Sequence, residues 1–509
     1  MSETSTLKRA LKLRSNILAN FAGKGWTALM ALLFVPVYID FIGIEAYGLV
    51  GIFLSLLALS TILDLGLSTS LNKELAHKSI DAEHNAQDMN NLVRTLEIVF
   101  WGVAILIAGI IALAAPLLTK YWLSPKMLSE DQVFQAIVLM GIAIACQWPF
   151  TLYSGGLLGL QQQVKQNILL VIFSTLRGIG AILVLWLISP TIQAFFIWQL
   201  LVSLLQTIST RVILRMCLPH TENAGQFHFS ILKKLWRFAA GMTLITILAI
   251  LLTQLDKIIL SKMLSLEMFG YYTLAALVAS SIYVLVLPIQ SALFPRFSQL
   301  VSKGDEKELA RLYHQSCQWA TLAVMPVAVI IALFSEQFLL LWTQDQEVAT
   351  HTHALVSLLI IGSSLNAMMQ LPYSLQLSYG WTRLGFYMNL VSIVVLIPLM
   401  VYLTSVYGAM GAAMAWLALN GSYVFIGIQL MHRRLLKTEK WNWYFQDFTI
   451  PLIGVTMVAL PAHLWRPELN SIFLQLMWLA LILIFSWIAA ALMTPAIRET
   501  LKRFVLVKT

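Results

Sequence analysis

In a chain of 509 residues, 59% are hydrophobic and only 11% charged; with a mean hydropathy of +0.80 this is far from the balance of a soluble domain and fits an integral membrane protein. The formal net charge of +9 is spread over loops between apolar runs, so no nucleic-acid partner is needed to explain it. Cys146, Cys217 and Cys317 are widely separated and show neither CxxC nor Cys/His ligand spacing, which argues against a disulfide framework or a metal site.

In chain order, Lys8, Arg9, Lys12 and Arg14 precede an apolar run that continues past signal-peptide length without a small-residue cleavage pattern; the run is expected to remain as the first span. Windows of about 20 apolar residues, the length that crosses roughly 30 Å of hydrocarbon as a helix, recur to give about fourteen spans. They are placed at 16–38, 45–70, 95–118, 133–157, 168–188, 193–215, 238–262, 268–293, 314–336, 353–376, 386–405, 409–430, 449–465 and 472–494. The span at 449–465 is short and contains Pro461. The expected fold class is therefore all-α, with helices that satisfy their own backbone polar groups inside lipid.

Lys and Arg are retained on the cytoplasmic side, and placing the N-terminus there puts most of the 33 basic residues in cytoplasmic segments. Only Lys120, Lys126, Lys262 and Arg466 fall opposite, and Lys24, Arg177 and Lys257 fall inside spans. Both termini are expected to be cytoplasmic.

The chain also repeats itself. "GIEAYGLVGIF" (43–53) aligns with "SLEMFGYYTLA" (265–275), matching Glu45 to Glu267, Tyr47 to Phe269 and Gly48 to Gly270. The same spacing pairs Asn167 with Asn389, and Pro149 pairs with Pro372 at one residue more. Two six-helix lobes follow, 1–215 and 238–430, joined by a cytoplasmic linker at 216–237 with an interfacial helix expected near Ile231 to Phe238. An even number of spans per lobe gives both the same orientation, related by an axis along the membrane normal, with a cleft between them. Residues 431–509 supply a basic, tryptophan-rich connector, two extra helices and a cytoplasmic tail.

The stretch "NILANFAGKGWTALMALLFVPVYIDFIGIEAYGLVGIF", continued by "LDLGLSTSLNKELA", resembles the start of oligosaccharide flippases of the O-antigen (Wzx) type. That family lies within the multidrug/oligosaccharidyl-lipid/polysaccharide exporter superfamily. "LYSGGLLGLQQQVKQN" and "QLDKIILSKMLSLEMFGYYTLA" carry the resemblance further, through most of residues 16–300 and diffusely to about 430. The resemblance implies fourteen helices in two lobes around a cationic cavity. It also implies movement of an undecaprenyl-pyrophosphate-linked sugar repeat from the inner to the outer leaflet of the bacterial cytoplasmic membrane by alternating access. The expected partners are then the lipid-linked oligosaccharide, membrane lipids and other polysaccharide assembly proteins. The expected cofactor set is empty apart from a coupling cation, proton or sodium.

A charge near the bilayer centre costs roughly 2.5–3.5 kcal/mol on insertion scales and usually faces protein or water. Arg177, about ten residues into its span, offers a guanidinium fork for a phosphate oxygen, or else a helix-packing ion pair. Lys24, flanked by Gly23 and Gly25, either faces the cavity or snorkels to the headgroups. Lys257 and its neighbour Asp256 lie in the outer third of the seventh span, pointing about 100° apart on an ideal helix. Asp64, in "TILDLGLSTS", balances Lys24, binds the coupling cation, or makes a local bond in the Asp-Leu-Gly turn. The expected cavity residues are thus Lys24, Arg177 and Lys257, with Asp64 and Asp256 for charge balance or coupling.

No GxxxxGK[ST] loop or HExxH motif occurs, and the outer loops are short, which disfavours a sugar polymerase or ligase. The rival reading is an ion-coupled multidrug antiporter on the same fold; its cationic cargo would favour acidic residues, whereas three of the five singled-out charges are basic.

Overall fold

The computed structural model describes residues 23, 25–221, 223–469, 471–495 and 498, leaving aside the side chains of 234 and 236–246. Its regular structure is helical throughout the described residues. Among the described residues, twelve helical stretches, several of them made of two consecutive helices, are long and apolar enough to cross a membrane. They match twelve of the expected fourteen spans; of the other two, 16–38 includes residues outside the described set and 238–262 includes residues whose side chains are left aside. The protein is a multi-pass, all-α membrane protein. Side chains such as Ile105, Ile110 and Leu113 stay exposed along the apolar helices, as expected of surfaces whose solvent is lipid.

The chain forms two compact units, one ending at Gly270 and one beginning at Tyr271. The first contains α1 (25–33), α2 (Val35–Ser60), α3 (Leu67–Lys78), α4 (Ala86–Leu117), α5 (Glu130–Gln147), α6 (Phe150–Gly159), α7 (Gln163–Leu187), α8 (Ile192–Cys217) and α9 (Phe229–Met263). α10 (Leu266–Ser280) starts here. Gly43, at φ 79° and ψ 159°, breaks the helical path inside α2; it marks the turn expected between the first two spans, at a backbone conformation that only glycine adopts readily. Pro149 separates α5 from α6, since a proline cannot donate to the preceding turn. Ser129 opens α5 with a capping box, accepting from Gln132 N at 3.2 Å while Gln132 Oε1 accepts from Ser129 N at 3.0 Å.

α5 packs on α4 and α8, and α6 on α3. The Phe100 and Trp148 rings stack at 4.5 Å, and Trp148 Nε1 donates to the Ser60 carbonyl at 2.9 Å, so the buried indole N–H is satisfied. After α8 the chain runs back along α4: Gln226 N donates to Asn91 Oδ1 at 2.8 Å and His228 N to Thr95 Oγ1 at 3.0 Å. Residues 231–238, where an interfacial helix is expected, are helical and form the first turns of α9, which continues to Met263.

The second unit holds the rest of α10 and α11 (Tyr283–Lys303), α12 (Glu306–Leu333), α13 (Ser335–Thr343), α14 (Gln346–Met368), α15 (Gln370–Ser378), α16 (Thr382–Tyr407), α17 (Ala409–Ser422), α18 (Ile428–His432), α19 (Lys440–Asn442), α20 (Ile450–Leu464) and α21 (Ile472–Met493). The break between α14 and α15, just before Pro372, corresponds to the break at Pro149. α20 and α21 pack on each other and on α12, where Ile330, Phe334, Ala459 and Ile482 form a buried apolar cluster.

Candidate functional site in the first unit

Of the expected cavity residues, Arg177 is half-buried and makes four side-chain hydrogen bonds. Nη1 donates to Gln199 Oε1 at 3.0 Å, and Nη2 to Gln147 Oε1 at 2.7 Å, Gln206 Oε1 at 3.1 Å and Ser203 Oγ at 3.4 Å. Three of these partners lie on α8 at positions 199, 203 and 206, one face of a helix, and one lies on α5. Tyr38 closes the site from α2, its hydroxyl donating to the Gly178 carbonyl at 3.2 Å. Among the described residues no carboxylate is within ion-pair distance of Arg177. The guanidinium is solvated by amides rather than neutralised, so its positive field persists.

Asp64 sits at the end of the 3₁₀ turn Thr61–Asp64. Its Oδ1 accepts from Ser68 N at 3.1 Å and Ser68 Oγ at 2.7 Å. Leu65 and Gly66 both take left-handed conformations, reversing the chain so that Asp64 faces the start of α3 and satisfies an otherwise unpaired N–H there. No hydrogen bond or ion pair joins Asp64 to Arg177 among the described residues. Lys24, expected as its partner, lies outside the described residues. Lys257 Nζ is 3.8 Å from Asp256 Oδ1 and donates to the Thr253 carbonyl at 3.4 Å; a long stem brings together groups whose helix positions point apart.

Sequence reasoning missed a second charge centre. Glu97, on α4, accepts from Tyr153 Oη at 2.8 Å and pairs with Arg94 at 3.1 Å, Arg215 at 2.8 Å and Arg211. The acid side chain is 3% exposed, the three arginines 44%, 29% and 41% in that order. The missed partners of Arg177 had a signal: Gln199, Ser203 and Gln206 form a polar stripe in an apolar span.

Gly48 and Gly270, matched by the repeat, make reciprocal close approaches. A side chain on Gly48 would meet the Leu266 carbonyl, and one on Gly270 the Ile44 carbonyl. Ile44 and Leu266 are separated by the same spacing as the two glycines. Beside them Glu45 accepts from Met127 N at 2.8 Å, while Glu267, its repeat counterpart, pairs with Lys126 at 2.9 Å.

A family model described as polysaccharide biosynthesis protein matches residues 13–301, and a MatE model matches residues 242–402. A protein of Shigella flexneri described as an O-antigen transporter is 24% identical over 382 residues, 74% of this chain and 87% of that protein. Among solved structures, the lipid II flippase MurJ in an inward closed conformation matches with a TM-score of 0.66 at 14% identity, covering 92% of this chain and 97% of that one. An inward-facing multidrug resistance MATE family transporter of the MOP superfamily matches with a TM-score of 0.62 at 15% identity, covering 84% and 96%. These structural likenesses show a shared fold.

Proposed function

Because the chain belongs to the polysaccharide biosynthesis protein family, we propose that this membrane transporter flips an undecaprenyl-pyrophosphate-linked oligosaccharide, an O-antigen or similar surface repeat unit. In this reading the cargo passes from the inner to the outer leaflet of the bacterial cytoplasmic membrane. The carrying observation is Arg177: a guanidinium held by three glutamines and a serine, with no acid beside it among the described residues. An anionic pyrophosphate loses hydration on entering a low-dielectric region, and a fixed cation offsets part of that loss. Arg177 thus stands as the cargo-facing cation, with Lys24 and Lys257 as further candidates and Asp64 and Asp256 for charge balance or a coupling cation.

In the second unit a groove of about 780 Å³ is lined by Ile289, Leu293, Trp319, Leu322 and Trp487. Its lining suits an isoprenoid chain, which gains by leaving its neighbours only if it meets another apolar surface. The rival, a drug antiporter, is favoured by the MatE match over residues 242–402. Deleting the gene and identifying the lipid-linked sugar that accumulates on the cytoplasmic side separates the two. The flippase reading expects a complete lipid-linked repeat to build up and surface polysaccharide to fall. Unchanged polysaccharide, together with drug resistance conferred by overexpression, would transfer the assignment to the antiporter.

A further inference from the structure

We propose that His314, Asp447 and Glu439 form a proton-binding site that fastens the last two spans to α12. His314 lies on α12, and its Nδ1 is 2.6 Å from Asp447 Oδ2 while its Nε2 is 3.1 Å from Glu439 Oε2. A neutral imidazole carries one N–H and can donate only once. Two carboxylates at hydrogen-bond distance from both ring nitrogens therefore require one further proton, either on the imidazole or on one of the acids. The site is enclosed: the side chains of His314, Asp447 and Glu439 are 16%, 1% and 23% exposed.

Further donors hold both acids. Gln318 Nε2 donates to Asp447 Oδ1 at 2.9 Å, and Asn442 Nδ2 to Glu439 Oε2 at 2.6 Å. Thr321 Oγ1 donates to the Asp447 backbone carbonyl at 2.7 Å, a second tie between the same two elements. Asp447 reaches inward from a π-helical turn, Trp443–Thr449, whose extra residue per turn displaces side chains from the ordinary helical register. Among the described residues the titratable groups beyond the three are His432 on α18, buried and close enough to interact with both His314 and Glu439, Tyr313, which packs edge-on against His314 and His432, and Cys317 and Tyr444 nearby. α11, α13, α14, α15, α20 and α21, also packed on α12, place no charged group within ion-pair distance of His314 among the described residues. Nor do the described residues hold any group of three or more His, Cys, Asp or Glu placed to bind a metal ion. The ligand is a proton.

The rest of the contact between α12 and the last two helices is largely apolar, through Ile330, Ala459 and Ile482, with Trp487 Nε1 donating to the Leu322 carbonyl at 2.9 Å. Packing of this kind does not respond to pH. The triad does: without its proton, a buried carboxylate faces a ring nitrogen that has no hydrogen to give, and the connector loses a charge-assisted bond. This inference does not depend on which substrate the protein moves.

The test uses the full chain in lipid nanodiscs with ¹⁵N-labelled histidine. Near neutral pH one imidazole is expected to carry hydrogens on both nitrogens or to share one with a carboxyl, and its signal is expected to move in Glu439→Gln and vanish in His314→Gln. Glu439→Gln removes a negative neighbour, so the proton should leave at a lower pH than in the unmodified chain. Amide exchange across residues 438–449 should rise about tenfold beyond its intrinsic increase when the pH is taken past the loss of that proton, the scale of one charge-assisted hydrogen bond. A His314 ring that is an ordinary neutral tautomer near neutral pH, with connector exchange following the intrinsic rate, would overturn the proposal. If His314→Gln fails to fold, the unmodified chain and Glu439→Gln still give both readouts.

Discussion

Glu97 is buried and Arg177 half-buried among the helices of the first unit, and the two charges are satisfied in opposite ways. Glu97 meets three guanidinium groups and a tyrosine hydroxyl, so its charge is more than matched locally and the bonds join α4, α6 and α8. Arg177 meets four neutral oxygens. Amide dipoles meet its hydrogen-bonding needs yet leave a full unit of charge, whose attraction for an anion is strengthened where water is excluded. A charge cancelled by its neighbours holds helices together; one that is merely solvated stays available to a ligand. The two centres should therefore respond differently to truncation.

The largest effect is expected at Glu97. Glu97→Ala leaves Arg94, Arg211 and Arg215 facing one another around a vacated site, and removing one partner of a buried ion pair costs about 3 kcal/mol. Partial exposure of the arginines puts the cost at the low end of the usual range. Membrane abundance and the unfolding temperature of the purified chain should both fall. Unchanged stability would mean that the arginines, and not the acid, organise this end of the unit.

Arg177→Ala should do the reverse, leaving abundance close to normal because the glutamines can re-pair with one another or with water, while export of surface polysaccharide drops at least about tenfold, the scale of a lost charge-assisted contact. Arg177→Lys should recover part of it, since the charge survives and the planar fork does not. The measurement is surface polysaccharide in a deletion strain at matched membrane abundance. Full export by Arg177→Ala would remove the cation from the mechanism and reduce the contrast with Glu97 to one of packing.

What could be read from the sequence follows the same division. The spans were legible because a membrane demands a long apolar run, and the break at Pro149 because proline cannot donate to the preceding turn; the break at Gly43 was not read from the sequence. Arg177 was legible as an unusual charge, but its surroundings were not: Gln147 comes from a different helix than Gln199, Ser203 and Gln206, and only tertiary packing brings them together. Glu97 escaped notice because it stands at the first turns of an apolar run and its arginines read as loop charges that set topology. The pairing of His314 with Asp447 was hidden more deeply, joining positions far apart in the chain through a π turn that no periodicity announces.

Asp64 gives the smallest expected effect, and it decides on which side of the Arg177/Glu97 contrast this acid belongs. Its carboxylate accepts twice from Ser68, at the backbone N and the hydroxyl, and so closes the start of α3 after two left-handed residues. Asp64→Asn keeps the Oδ1 acceptor and removes only the charge. The loss is then that of a negative group near a helix N-terminus, about 0.5 kcal/mol, and export should stay near that of the unmodified protein. Asp64→Ala removes the acceptor as well and should cost about 1 kcal/mol, as loss of a helix-start cap does. An acid that exchanges a coupling cation cannot lose its charge so lightly: in that case Asp64→Asn would cut export as severely as Arg177→Ala while leaving the unfolding temperature unchanged. Measured side by side at matched abundance, a mild Asp64→Asn places the residue with Glu97, as a charge used for structure, and a severe one places it with Arg177.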